Sequence, residues 1–183
     1  MTKVAFLDRD GVINYDTGYI RSIRNFHFVE NIFESLRRLQ SRDFKLVIVT
    51  NQSGIARGYF TWSDLDAIHN YMTQELEAHN IFIDSILVCP HHSKGTVSKY
   101  AKKCNCRKPK VGLMEQYSRN IFVDKMSSVF IGDKGTDMIA AHRFGLKNRI
   151  LLSEYWWSIK SDTKFFNISP DIKSAIELVC RNE

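Results

Sequence analysis

The chain has 183 residues, 44% of them hydrophobic, which suffices for one compact domain with a full-sized core. No apolar run approaches the ~20 residues of a membrane span, and Met1-Thr-Lys3 leads into a strand-like segment without signal-peptide layout, so a cytoplasmic protein off the membrane is expected. A net charge of +6 and a pI of about 9.2 suit an anionic partner, but Lys and Arg are scattered rather than striped, which favours a phosphate group over a nucleic acid.

Strand-like and helical runs alternate, the pattern of an α/β domain with a mainly parallel sheet and flanking helices, expected as a single domain over residues 1–183. Val4–Leu7 reads as the first buried strand. Ile32, Phe33, Leu36 and Leu39 form a helical stripe, and Leu46–Val49 a second strand. Thr61 with Asp64 three residues on predicts a capped helix start, followed by Leu65, Ile68, Met72, Leu76 and His79 at helical spacing. His69 and His79 lie on that helix without partners at ligand spacing and read as packing or surface residues. Ile86–Val88 predicts a strand, 113–121 a helix, Val129–Ile131 a strand, and Thr136–Phe144 a helix stopped by Gly145. Arg149–Leu152 and Ile172–Val179 complete the domain as strand and helix.

The ends of the strands carry the chemistry. After the first come Asp8 and Asp10, whose i, i+2 spacing in an extended backbone points both acids to one side. At the carboxyl end of a strand they would share the place where open α/β sheets hold ligands. Two carboxylates that close repel unless a cation or proton intervenes, so the pair invites Mg²⁺. The second strand runs into Thr50-Asn-Gln-Ser-Gly54, a hydroxyl followed by a turn that exposes N–H groups to an oxyanion. The strand at 129–131 leads to Asp133 and Lys134, a further oxygen ligand and a fixed positive charge, with Asp137 beyond. Each piece has a plainer reading, since Asp-Gly and Thr-Asn are ordinary turn pairs and Asp137 suits a helix N-terminus. Three strands ending in matched acids and donors together point to catalysis.

Cysteine spacing gives a second signal. Cys89-Pro-His91 is followed after twelve residues by Cys104-Asn-Cys106, a Cys₃His set suited to a closed structural zinc site, with His92 as a neighbouring competitor. Free buried thiols are the alternative, because a cytosolic setting disfavours disulfides. The intervening stretch is polar and lacks apolar periodicity. A metal clamp at its two ends would steady Arg107 and Lys108. Cys180 stands apart and reads as packing.

These motifs resemble the haloacid-dehalogenase-type phosphatases: Asp8-Arg-Asp-Gly11, Asp16-Thr-Gly-Tyr19, Thr50 to Gly58, Cys106-Arg-Lys-Pro109 and Gly132-Asp-Lys134. The closest branch contains phosphatases of heptose bisphosphates and of histidinol phosphate. The resemblance implies a Rossmann-like fold without a large cap domain, Asp8 as nucleophile, Asp10 as acid and base, and Thr50 and Lys108 as stabilisers of the transferring phosphoryl group. It implies Mg²⁺ held by the Asp8 side chain, the Asp10 carbonyl and Asp133, and zinc held by Cys89, His91, Cys104 and Cys106. Substrate contacts would come from Asp16, Thr17, Gly18, Tyr19, Asn51, Gln52, Ser53, Arg107 and Lys134, with Asp137 in support. The implied reaction removes the 7-phosphate of a heptose 1,7-bisphosphate on the way to nucleotide-activated heptose. Histidinol phosphate is the alternative ester and a silent phosphosugar-binding regulator the non-enzymatic one. A small phosphorylated sugar, no nucleic acid and a monomer are the expected partners and state. Ser93 and Lys110-Val111 depart from the branch pattern beside the zinc loop, leaving its ligands intact.

Overall fold

The computed structural model describes residues 1–154 and 165–181. Six strands form one parallel sheet in the order β3-β2-β1-β4-β5-β6. They are β1 (Val4–Leu7), β2 (Lys45–Asn51), β3 (Ile83–Cys89), β4 (Val129–Gly132), β5 (Asn148–Leu152) and β6 (Asn167–Ser169). The helices are α1 (Ile32–Gln40), α2 (Trp62–Ala78), α3 (Gly112–Ser118), α4 (Gly135–Phe144) and α5 (Ile172–Arg181), with a 3₁₀ turn at Ile23–Asn25.

The strands read as unbroken apolar runs because both faces of the sheet are covered. Ala5, Leu7, Leu46, Ile48, Val129 and Ile131 face a core shared with α1, α2 and α5. Val4, Phe6, Val47, Val49 and Phe130 face a second core, packed by α3 and α4. Period-two alternation therefore assigns each strand residue to one of two cores. β1 lies centrally, with Ala5 opposite both Leu46 of β2 and Val129 of β4. From β1 the chain winds outward to β3, then returns to β4 and winds the other way. Such a reversal opens a crevice at the carboxyl ends of β1 and β4.

Local signals act where expected. Thr61 accepts the Asp64 N–H at 3.2 Å while Asp64 accepts the Thr61 N–H at 2.8 Å, a capping box that starts α2. Gly145 ends α4 at φ 92°. The third helix is shorter than its apolar pattern, stopping at Ser118 rather than 121. β6 is absent from the sequence reading because only three residues pair, along the edge of β5, and their run is too short to show alternation. His79 is exposed and stacks on Phe33 at 4.0 Å between centroids, whereas His69 turns inward. No helix among the described residues is long and apolar enough to cross a membrane.

Candidate active site

The crevice is floored by a lysine between two acids. Lys108 is 3% exposed, and its Nζ donates to the Val49 carbonyl at 2.7 Å and pairs with Asp8 Oδ1 at 3.0 Å and Asp137 Oδ1 at 2.9 Å. Its main chain is fixed as well: Asn51 Nδ2 donates to the Lys108 carbonyl at 3.2 Å, and the Lys108 N–H donates to Asn51 Oδ1 at 3.1 Å. Asn51, expected to contact substrate, lines the cavity above, and its amide also fastens Lys108 to the end of β2. Burial works to lower the Lys108 pKa, but Asp8 and Asp137 outweigh it and the value rises.

Asp8 directly follows β1 and is 5% exposed. Burial pushes its carboxyl up to about 7 against the pull of Lys108, with Asp137, Asp10 and Asp133 adding to the rise. Asp10 behaves oppositely. Burial pushes it up, but the Arg9 guanidinium, with hydrogen bonds from Asn14 and Gln52, outweighs burial and holds it below the ordinary carboxylate value. Its Oδ1 accepts from Asn14 Nδ2 at 3.0 Å and its Oδ2 from Gln52 Nε2 at 2.8 Å. Gln52 also donates to Thr50 Oγ1 at 2.9 Å, so Thr50 lies 1% exposed beneath the site.

Asp8, Asp133 and Asp137 each bring one carboxylate oxygen within 4.8 Å of the others. Asp133 Oδ2 meets Lys134 Nζ at 3.1 Å, while its buried Oδ1 has no hydrogen-bond partner. A buried, unpartnered carboxylate oxygen among other carboxylates is the donor set of a hard divalent cation. Gly11 lets this happen: at φ +85° it passes the Asp133 carboxylate so closely that a Cβ there would sit 2.5 Å from it. The Asp10 carboxylate lies outside this group, committed to Arg9, Asn14 and Gln52, so its side chain is not a ligand in this arrangement.

Above the floor is a cavity of about 520 Å³ lined by Asp16, Gly18, Tyr19, Asn51, Gln52, Ser53, Arg107 and Lys134, as well as Asp8, Asp10 and Lys108. Thr17 stands exposed beside it and is not among the lining residues. Lys134 Nζ bridges Asp16 at 3.0 Å and Asp133 at 3.1 Å; burial lowers its pKa, but these two acids outweigh it and raise the value. Tyr19, at φ 42°, meets Tyr59 edge-on at 4.7 Å at the rim. Pro109, the last residue of the Cys106–Pro109 motif, and Thr136, which carries no sequence signal of that role, also line the cavity.

Cys89, His91, Cys104 and Cys106 likewise converge, with their ligand atoms within 4.8 Å of one another. Sequence left His91 and His92 in competition; the structure separates them, since His92 Nε2 faces Arg57 Nη2 at 3.2 Å. The Cys89 and Cys106 sulfurs lie 2.9 Å apart and share one hydrogen bond, which pushes one thiol down and the other up. Three thiols and an imidazole fit tetrahedral zinc. The loop between them has a further anchor that its composition hides. The N–H groups of Thr96 and Val97 donate to the Ala56 carbonyl, and Tyr100 packs beside Ile55, Phe60 and Leu65 with its hydroxyl on Trp62 Nε1 at 2.9 Å.

A parallel sheet with a carboxylate pair at its central strand and a buried lysine across the crevice defines the haloacid-dehalogenase-type phosphatases. A family model described as polynucleotide kinase 3 phosphatase matches residues 3–170. The D-glycero-beta-D-manno-heptose-1,7-bisphosphate 7-phosphatase of Haemophilus ducreyi is 41% identical over 82% of this chain and 82% of its own. The protein of that name from Escherichia coli K12 is 40% identical over 80% and 77%. A crystal structure of D,D-heptose 1,7-bisphosphate phosphatase from B. bronchiseptica, complexed with magnesium and phosphate, superposes with a TM-score of 0.86 at 28% identity, covering 100% of both chains. The chain belongs to this family of phosphatases, in the branch that these heptose-bisphosphate enzymes represent.

Proposed function

We propose that the protein hydrolyses the 7-phosphate of a D-glycero-D-manno-heptose 1,7-bisphosphate through an aspartyl-phosphate on Asp8, in a step toward nucleotide-activated heptose. The observation that carries the phosphatase chemistry is Lys108, buried and paired at once with Asp8 and Asp137 beneath the cavity that Arg107 and Lys134 line. The substrate rests on the names of the relatives, whose curated members specify the beta anomer.

Asp8 Oδ1 is occupied by Lys108 and by the Arg9 N–H at 2.8 Å, which leaves Oδ2 to attack phosphorus. Asp8, the Asp10 carbonyl and Asp133 would hold Mg²⁺, which when bound would supply positive charge for the transferring phosphoryl oxygens and favour ionised Asp8. Thr50 and Lys108 complete that charge stabilisation, which in phosphoryl transfer outweighs covalent help. Asp10, held ionised by Arg9, Asn14 and Gln52, is ready as the base that activates water against the aspartyl-phosphate. Its acid role begins when a dianionic phosphate enters beside it and like-charge repulsion raises its pKa. Asp16, Gly18, Tyr19, Asn51, Gln52, Ser53, Arg107 and Lys134, which line the cavity, contact the sugar and its remaining phosphate, with Thr17 supporting the turn beside them and Asn51 also holding Lys108. The product and substrate are polar solutes of the cytoplasm, and a monomer suffices for this site.

Phosphate release would be measured with Mg²⁺ on the alpha and beta heptose bisphosphates, histidinol phosphate and a 3′-phosphorylated oligonucleotide. The beta heptose ester should give the highest kcat/KM. Preference for histidinol phosphate or the oligonucleotide would reassign the substrate, and no turnover of any ester would end the enzyme reading.

Cys89, His91, Cys104 and Cys106 would hold zinc, which would steady the segment that carries Arg107 and Lys108. Cys106→Ala should lower bound zinc from about one per chain and raise KM about tenfold or more, a loss typical of disturbed metal-supported positioning. Because Ala56 and Tyr100 anchor the middle of the loop independently, the damage should concentrate on 104–109. Metal analysis and KM measured together decide it: unchanged zinc and KM would remove the clamp.

A further inference from the structure

The chemistry above leaves one buried pair unused. Arg9 lies between the two aspartates yet is 0% exposed. Its Nε and Nη2 reach Asp10 Oδ1 at 3.1 and 2.8 Å, and Nη2 reaches Oδ2 at 3.0 Å. Its Nη1 faces His69 Nε2 at 3.2 Å. A guanidinium only donates, so His69 Nε2 is the accepting nitrogen and the ring proton sits on Nδ1. His69 is 8% exposed and projects from α2, whose start is set by the Thr61–Asp64 capping box and whose Ile68, Met72 and Leu76 lie in the core. The helix therefore holds the imidazole at a fixed place.

We propose that His69 is a positioning residue that acts through Arg9 to fix the Asp10 carboxylate in its working orientation. The choice of side chain has a physical reason. A carboxylate at position 69 would compete with Asp10 for the guanidinium charge, whereas a leucine would leave an Nη1 donor buried and unpaired. A neutral imidazole accepts that hydrogen bond and leaves the charge to Asp10. Burial, together with Arg9, pushes the His69 pKa down to about 3, so the neutral form is the resident one. Asn14 and Gln52 close the other sides of Asp10, which leaves its carboxylate one favoured position.

The inference rests on Asp10 as acid and base, and the variants separate the two claims. With the ester that the wild-type protein turns over best, His69→Leu should lower kcat about tenfold or more, within the range that acid–base catalysis supplies, and leave KM within about threefold. His69→Gln, whose amide oxygen can take the Arg9 hydrogen bond, should recover most of that kcat. A packing role alone would move neither the kcat-against-KM split nor the contrast between Gln and Leu. Wild-type kcat in His69→Leu, or equal losses in both variants, would overturn the proposal. If His69→Leu does not fold, Arg9→Lys, which keeps the charge but loses the fork, takes its place under the same criteria. Asp10→Asn is measured alongside. Full activity there would remove the acid–base reading itself, whereas an inactive Asp10→Asn beside a fully active His69→Leu would remove only the positioning role.

Discussion

Asp8→Asn should abolish turnover, by about 10³-fold or more as expected for loss of a covalent nucleophile, and at the same time stabilise the metal-free protein at neutral pH. The two effects share one cause. Asp8 is buried among Asp10, Asp133 and Asp137, and its carboxyl rises from 3.8 to about 7 in the fold. The folded state therefore binds the proton more tightly than the unfolded chain. The stability this gives is complete below pH 3.8 and is lost as pH rises through about 7, a swing of at most about 4 kcal/mol. Asparagine carries no charge and skips that loss. Thermal melts of metal-free protein should show the variant pulling ahead of wild type between pH 4 and 8. Mg²⁺ should raise the wild-type midpoint and leave the variant almost unmoved. A variant less stable than wild type at pH 8 without metal would contradict this account of the floor.

Lys108→Met should have the opposite effect on stability. It keeps the length of the side chain but leaves Asp8 and Asp137 facing each other without their cation, and the Val49 carbonyl without its donor. Breaking a buried pair by removing one partner costs about 3–5 kcal/mol, because the remaining charges stay desolvated. The loss should be largest above neutral pH, where Asp8 is ionised, and smaller in acid, where its protonation relieves the repulsion. Turnover should fall about 10²–10³-fold, the scale of removing one preorganised stabiliser of transferring charge. Denaturant unfolding at pH 5 and pH 8, with phosphate release at saturating Mg²⁺, checks both parts. Equal destabilisation at the two pH values would show that packing, rather than charge, is what Lys108 provides.

Much of this site was legible in the sequence because strand ends announce themselves. Val4–Leu7, Leu46–Val49 and Val129–Ile131 are apolar runs that break abruptly into Asp8, Thr50 and Asp133, and a parallel sheet places those breaks along one edge. The cysteine pattern was legible for the same reason, as reactive residue types at short spacing. What could not be read depends on contacts between distant segments. Asn51 has the appearance of turn chemistry, and its amide also pairs with the main chain of Lys108, 57 residues away. His69 has no companion at ligand spacing because its partner is Arg9, 60 residues earlier in the chain. Tyr100 sits in a polar stretch whose single aromatic docks into a small core cluster that only the fold assembles. β6 fell below the length at which period-two alternation becomes visible.

The site has two layers with different histories open to them. Its floor is cut from strand ends and held by the buried Lys108 ion pairs, so losing Lys108 or Asp137 disturbs the packing beneath the site. Its rim, from the Asp16–Tyr19 turn to the Arg107 side chain, stands on connections that carry little of either core. Exchanging those turns for the turns of a relative would alter which ester is admitted while the phosphorus chemistry stayed intact. A fold arranged this way can acquire new substrates by editing its doorway, and the hearth beneath need never be rebuilt.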